Sequence, residues 1–134
     1  MSCYSGEKFI LDGLGKSKRS FIHSNDFTDA IFKIINSNLI KEEYNFSTEE
    51  EISISELVEI ICQITRVDKE KIIRYGPERP GKDMFYRMDI NKAKSLLNWE
   101  PQTSLEKGLF LVNEWIKGAF PKLSKESWSY EHRN

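Results

Sequence analysis

The residues best equipped for chemistry in this sequence are cationic and lie in two short stretches. In the first, Arg19 precedes the extended run Ser20-Phe21-Ile22-His23, which leads straight into a helix start at Ser24-Asn25-Asp26. A guanidinium there presents a planar fork to a phosphate, and the free amides of a helix start favour an anion. An ordinary surface arginine, with Asp26 as a first-turn helix acid, accounts for the same residues. The second stretch is Glu78-Arg79-Pro80-Gly81-Lys82-Asp83. Arg79 and Lys82 flank a turn with little side-chain bulk at its tip. Such a loop can offer two cations to a diphosphate and leave Asp83 to accept hydrogen bonds from ribose hydroxyls. The plain alternative is a charged, solvated turn.

Other patterns promise less. Gly13-Leu14-Gly15 resembles the start of a dinucleotide-binding glycine fingerprint, but the third glycine and a strand–turn–helix context are missing. Tyr4 and Lys8 have the spacing of a proton-transfer pair on a helix, yet Ser5 and Gly6 between them make a poor helix. His23 and His132 have no second ligand nearby, so no metal site is expected. Cys3 and Cys62 form neither a disulfide framework nor a metal-ligand spacing.

The elements that must position the two cationic stretches are short strands alternating with amphipathic helices. Lys8 to Leu11 reads as a strand closed by Asp12-Gly13, and Gly15 to Lys18 as a polar, flexible connection. A helix is expected from Asn25 or Asp26, capped by Ser24 or Asn25, with Phe27, Ala30, Ile31, Ile34 and Ile35 on one face. Tyr44-Asn45-Phe46 reads as a short strand. The clearest helix carries Ile54, Leu57, Val58, Ile61 and Ile64, with Ser53 or Ser55 as its cap. Lys71 to Tyr75 is a further strand. Asn91 caps a short helix through Leu97. Ser104 precedes a long helix bearing Leu105, Leu109, Val112 and Ile116, which Pro121 is expected to end. Residues from Lys122 onward read as a loosely held tail. Four helices and three or four short strands make a mixed α/β piece, too sparse in strand for a self-contained doubly wound sheet.

Composition narrows the function classes. The 134 residues suit one domain, and 20 basic residues against 21 acidic ones leave a net charge of −1. No global field favours nucleic acid or an anionic membrane. No apolar run approaches membrane-spanning length and no signal-peptide core is visible, so a reducing cytoplasm is the expected location.

In series, the motifs resemble the extended short-chain dehydrogenases/reductases that act on nucleotide sugars with NAD. Arg19-Ser20-Phe21-Ile22-His23 with Asp26 is similar to their Arg-x-Phe-x-x-Val-x-Asp segment, and Tyr44-Asn45-Phe46-Ser47 to their Tyr-Asn-Ile-Gly. Arg79-Pro80-Gly81-Lys82-Asp83 resembles their Arg-Pro-Gly-x-Asp loop. Asp89, Lys92-Ala93-Lys94, Leu97-Asn98-Trp99-Glu100-Pro101 and Ser104 to Leu109 follow in the family's order. The departures are Ser20 for aspartate, Ser24 for valine and Asn98 for glycine. The loop with Tyr86 and Asp89 is most similar to the sugar 4,6-dehydratase branch.

The resemblance implies a C-terminal substrate-binding lobe over residues 1–120, followed by a tail over 121–134, with the Rossmann cofactor domain largely absent. It implies that Arg19 contacts the nucleotide or its diphosphate, Arg79 clamps the diphosphate, Lys82 adds a cation and Asp83 accepts from the ribose. Asn45 would lie on a strand joining the cofactor sheet, and Trp99 and Pro101 would pack the lobe. NAD belongs to the intact family, while this stretch offers no cofactor loop and no catalytic tyrosine and lysine. The expected partners are a nucleotide-diphosphate sugar and either a separately encoded N-terminal Rossmann half or a second copy. An apolar face on the helix after Arg19 should then stand open. A non-enzymatic interaction module, or a relic that pairs with such a half, is the alternative.

Overall fold

The apolar stripe from Ile54 forms a helix because its start is closed on both sides. In the computed structural model, which describes residues 1–39, 41–78 and 80–126, the Ser53 hydroxyl accepts from the Glu56 amide (3.1 Å). The Glu56 carboxylate in return accepts from the Ser53 amide (2.9 Å). This reciprocal box satisfies two otherwise free amides. The Ser53 hydrogen bonds hold the Glu56 carboxyl below the usual carboxylate range. Replacing Ser53 with alanine is expected to lower stability by about 1 kcal/mol, read as a reduced urea midpoint with an unchanged slope.

The elements run in the order α1 (Ser2–Ser5), β1 (Phe9–Asp12), a 3-10 turn (Gly13–Gly15), β2 (Lys18–Arg19), α2 (Ser24–Ile35), β3 (Ile52–Ser53), α3 (Ile54–Thr65), α4 (Lys69–Ile72), β4 (Ile73–Gly76), α5 (Asn91–Leu97) and α6 (Leu105–Leu123). β1 and β4 pair in parallel, Phe9 opposite Ile73 through Asp12 opposite Gly76. α3 supplies the crossover that a parallel pair needs. β2 and β3 pair antiparallel, with Arg19 opposite Ile52. This is the mixed α/β lobe expected from the sequence.

Two apolar clusters hold the layers. Leu11, Val58, Cys62, Ile72 and Ile73 bury the β1–β4 pair under α3. Ala30, Ile90, Ala93, Leu97 and Trp99 join α2 to α5. Trp99 is almost fully enclosed, and its indole Nε1 donates to the Asp26 carbonyl (3.0 Å). The Asp26 carboxylate accepts from the Thr103 amide (2.9 Å) and hydroxyl (3.2 Å). Asp26 is therefore more than a first-turn helix acid: it ties the start of α2 to the approach of α6.

Several local expectations are corrected. α2 is capped by His23, whose Nδ1 accepts from the Asn25 amide, rather than by Ser24 or Asn25. At α5 the Asp89 carboxylate accepts from the Asn91 amide, so Asn91 is the first helical residue and not the cap. α6 passes through Pro121 to Leu123. In the last turn the proline forfeits a single helical hydrogen bond, which a helix this long tolerates. Residues 44–46 form no strand. Tyr44 and Phe46 face the Trp99 cluster and Asn45 faces out. The alternation of a strand is there, but no described segment pairs with it. Within the Gly15–Lys18 connection Ser17 is fully buried, and Lys18 begins β2. Of the expected tail, Lys122 and Leu123 are helical, and residues 127–134 lie outside the described residues.

Candidate functional site

The two cationic stretches meet. Arg19 ends β2, and its Nη2 donates to the Asp83 backbone carbonyl (2.8 Å), 64 residues away in sequence. Nη1 donates to the Lys18 carbonyl (2.6 Å). One turn of chain is thereby clamped by a guanidinium. The Lys18 amide donates to the Met84 carbonyl (2.8 Å), so the backbone of β2 holds the same loop. Lys82 lies within this arrangement, its ammonium 3.5 Å from the Glu78 carboxylate. Arg79 lies outside the described residues. The Asp83 side chain is exposed, while its carbonyl is taken by Arg19.

Between β1, β2, the start of α3 and this loop lies an open cleft of about 400 Å³, with Ile10, Asp12, Ser17, Arg19, Ile54 and Lys82 on its walls. The lining sets the cations Arg19 and Lys82 beside the Asp12 carboxylate and the apolar side chains of Phe9, Ile10, Leu11 and Ile54. Such a mixed lining can take a ligand with an anionic part and a flat, weakly polar part. Arg19 retains donor capacity beyond its two carbonyl bonds, since a guanidinium carries five N–H groups. A second cleft of similar size lies between α2 and α5. Its lysines are already engaged, Lys33 with the Asn98 carbonyl and Lys94 with Glu49.

The geometry also explains Gly13-Leu14-Gly15. All three residues have positive φ, between 56° and 66°. A Cβ on Gly13 would fall 1.8 Å from the Glu78 carboxylate, and one on Gly15 would fall 2.8 Å from the Ser55 amide. The glycines let the turn pass close under the loop and under α3. The turn leads into a strand rather than a helix, unlike the strand–turn–helix of a dinucleotide fingerprint. Sequence reasoning missed Lys18 and Ser17 as parts of the site. Lys18 is a charged residue whose role is tertiary, and Ser17 is a small polar residue with no local signal.

Tyr4 and Lys8 do not form a proton-transfer pair. Tyr4 sits in the single turn of α1, Gly6 ends that turn in the left-handed region, and the Tyr4 hydroxyl donates to Asn113 Oδ1 (2.7 Å). No group of three His, Cys, Asp or Glu among the described residues could hold a metal ion. No helix among them is long and apolar enough to cross a membrane.

The family model described as GDP-mannose 4,6 dehydratase matches residues 2–111. The chain belongs to this family. A dTDP-glucose 4,6-dehydratase of Xanthomonas campestris pv. campestris is 30% identical in an alignment of 132 positions that covers 92% of this chain and 36% of that protein. A dTDP-glucose 4,6-dehydratase of Escherichia coli is 28% identical, over 96% of this chain and 37% of its own length. Among solved structures, dTDP-glucose 4,6-dehydratase from Bacillus anthracis in complex with NAD superposes with a TM-score of 0.78 at 28% identity, covering 87% of this chain and 37% of that one. UDP-glucose 4-epimerase from Thermotoga maritima with UDP-glucose gives 0.81 at 29% identity, covering 89% and 38%. The chain thus spans little more than a third of the length of these family members. That share is the family's C-terminal lobe, and the greater part of its relatives' length has no counterpart in these residues.

Proposed function

We propose that these residues form the nucleotide-sugar-binding lobe of an NAD-dependent sugar 4,6-dehydratase or epimerase and do not carry out the reaction alone. The observation that supports this most is the meeting of Arg19 and Lys82 on one cleft. In this reading Arg19 and Arg79 grip the diphosphate, Lys82 adds to the positive field, and Asp83 accepts hydrogen bonds from the ribose. A diphosphate also gives a partner to the donors that Arg19 does not spend on the loop. The nicotinamide would supply oxidation and return of a hydride; these residues hold the substrate and contribute no group to that step.

Residues 1–120 make up this lobe and 121–134 the segment that follows it, whose first three residues still belong to α6, in a cytoplasmic protein. The partner is an N-terminal Rossmann half, covalently joined or separately made. What favours such a partner is the open face of α2, where Phe27, Ile31, Phe32 and Ile35 are all exposed. Apolar area of this kind ordinarily marks an interface. The extended but unpaired run 44–46 lies near it, packed with α2 on the Trp99 cluster. That same face favours the second reading, an interaction module without ligand use.

A thermal melt with dTDP-, UDP-, GDP- and CDP-sugars, with and without NAD, separates the two readings. The expected result is a higher midpoint with one nucleotide class, independent of NAD, and no NAD-dependent turnover. At a hundredfold excess over the dissociation constant the ligand adds about 2.7 kcal/mol of stability. Turnover by the chain alone would overturn the non-catalytic assignment. A cooperative melt unmoved by any of the four would leave the interaction module.

A further inference from the structure

Cys3 and Cys62 are far apart in sequence yet belong to one corner of the fold. Cys62 lies on α3, buried in the cluster with Leu11, Val58, Ile72 and Ile73, and Cys3 packs against that same cluster from α1. Both are free thiols, and Cys3 is the more accessible of the two. α1 is too short to hold itself in place. It is fastened by Tyr4, whose hydroxyl donates to Asn113 of α6 and whose ring lies 5.5 Å from that of Phe120. The fastening keeps the Cys3 thiol at the edge of the cluster that contains Cys62.

We propose that Cys3 and Cys62 are an oxidation-sensitive pair that closes into an intramolecular disulfide and pins α1 to α3. With hydrogen peroxide as oxidant the step balances. The Cys3 thiolate attacks one peroxide oxygen, the O–O bond breaks, and hydroxide leaves, giving a sulfenic acid at Cys3. The Cys62 sulfur then attacks the Cys3 sulfur, the S–O bond breaks, and the departing hydroxide takes a proton to become water. Two thiols are oxidised and one peroxide is reduced to two waters. The order follows from the surroundings. Burial, and then the neighbouring Cys3 charge, push the Cys62 thiol up, so it is a poor first nucleophile. Cys3 meets the oxidant first. The inference is independent of what the Arg19 cleft binds. Its consequence is mechanical: α1 is already tied to α6 through Tyr4 and Asn113 and lines one cleft with α3 and α6, and the crosslink would make that corner resist opening until a reductant releases it.

The test is peroxide treatment of the full chain, followed by intact mass, non-reducing peptide mapping and a melt. The expected product is a monomer lighter by two hydrogens, with the Cys3 and Cys62 peptides joined and separable by dithiothreitol. Its midpoint should rise by about 5 °C or more, because the bridge closes a long loop of the unfolded chain. Cys3→Ser, checked as folded by circular dichroism, should give neither the crosslink nor the rise. Oxygen addition at Cys3 with Cys62 still alkylatable would overturn the proposal. It would show that the two Cα atoms stay beyond the roughly 7 Å a disulfide spans. A disulfide-linked dimer as the main product would overturn it equally.

Discussion

Replacing Trp99 with alanine is expected to bring this lobe close to unfolding. The indole is 1% exposed and lies edge-on to Phe46, with ring centroids 4.9 Å apart. It fills the space between α2 and α5 against Ala30, Ala93 and Leu97. Ala30 and Ala93 are fully buried small residues with no side chain that could extend into the void. Truncation of a large buried aromatic costs about 3–5 kcal/mol, and a domain of this kind has only about 5–15 kcal/mol in total. The substitution also removes the Nε1 donor from the Asp26 carbonyl. Urea unfolding followed by circular dichroism should show a large fall in midpoint with a similar slope. Trp99→Phe separates the two contributions: it keeps most of the packing and loses the hydrogen bond, so it should cost much less. A loss below about 1 kcal/mol in Trp99→Ala would mean that α2 and α5 are not held by this ring.

Features that depend on local spacing were legible in the sequence, and features that depend on a distant partner were not. The periodic stripes predicted α2, α3 and α6 because a helix satisfies its own backbone and needs only one apolar face. Ser53, one of the two serines offered as the cap of α3, was legible for the same reason, since the amide it satisfies lies within three residues. Tyr44-Asn45-Phe46 has strand chemistry, but a strand exists only beside another, and sequence does not reveal whether one is present. β2 is the converse case. Lys18 and Arg19 have no strong strand propensity, and they pair with Ile52 and Ser53 because the loop at Met84 and the start of α3 bring the segments together. The cap at His23 escaped because serine and asparagine stood beside it and are the usual acceptors.

The site was legible as two cationic stretches, and their convergence was not. Nothing local links Arg19 to Asp83. The contact depends on β2 lying against β3 while the chain after β4 folds back over the Gly13–Gly15 turn. The close passage of Glu78 over the Gly-x-Gly pattern was visible only in the fold. The series of motifs carried the family because their order encodes the topology that single motifs lack.

Arg19→Ala is expected to weaken nucleotide-sugar binding by about 10- to 100-fold, the second large effect. A hydrogen bond to a charged group contributes about 1.5–3 kcal/mol, and each 1.4 kcal/mol is tenfold in affinity. The guanidinium also spans the Lys18 and Asp83 carbonyls, so its loss releases the loop that carries Lys82 and Asp83. Part of the affinity loss will therefore be disorder of that loop rather than a missing contact. Arg19→Lys distinguishes the two, because it keeps the charge but cannot bridge two carbonyls and a phosphate at once. If positive charge is what matters, lysine restores most of the binding, and the remaining affinity falls with added salt. If the fork is what matters, lysine behaves like alanine. Titration calorimetry with the nucleotide class that raises the melting midpoint reads both cases, with circular dichroism to confirm that the variants stay folded. Unchanged affinity in Arg19→Ala would remove Arg19 from the binding site and leave it as a strut for the loop.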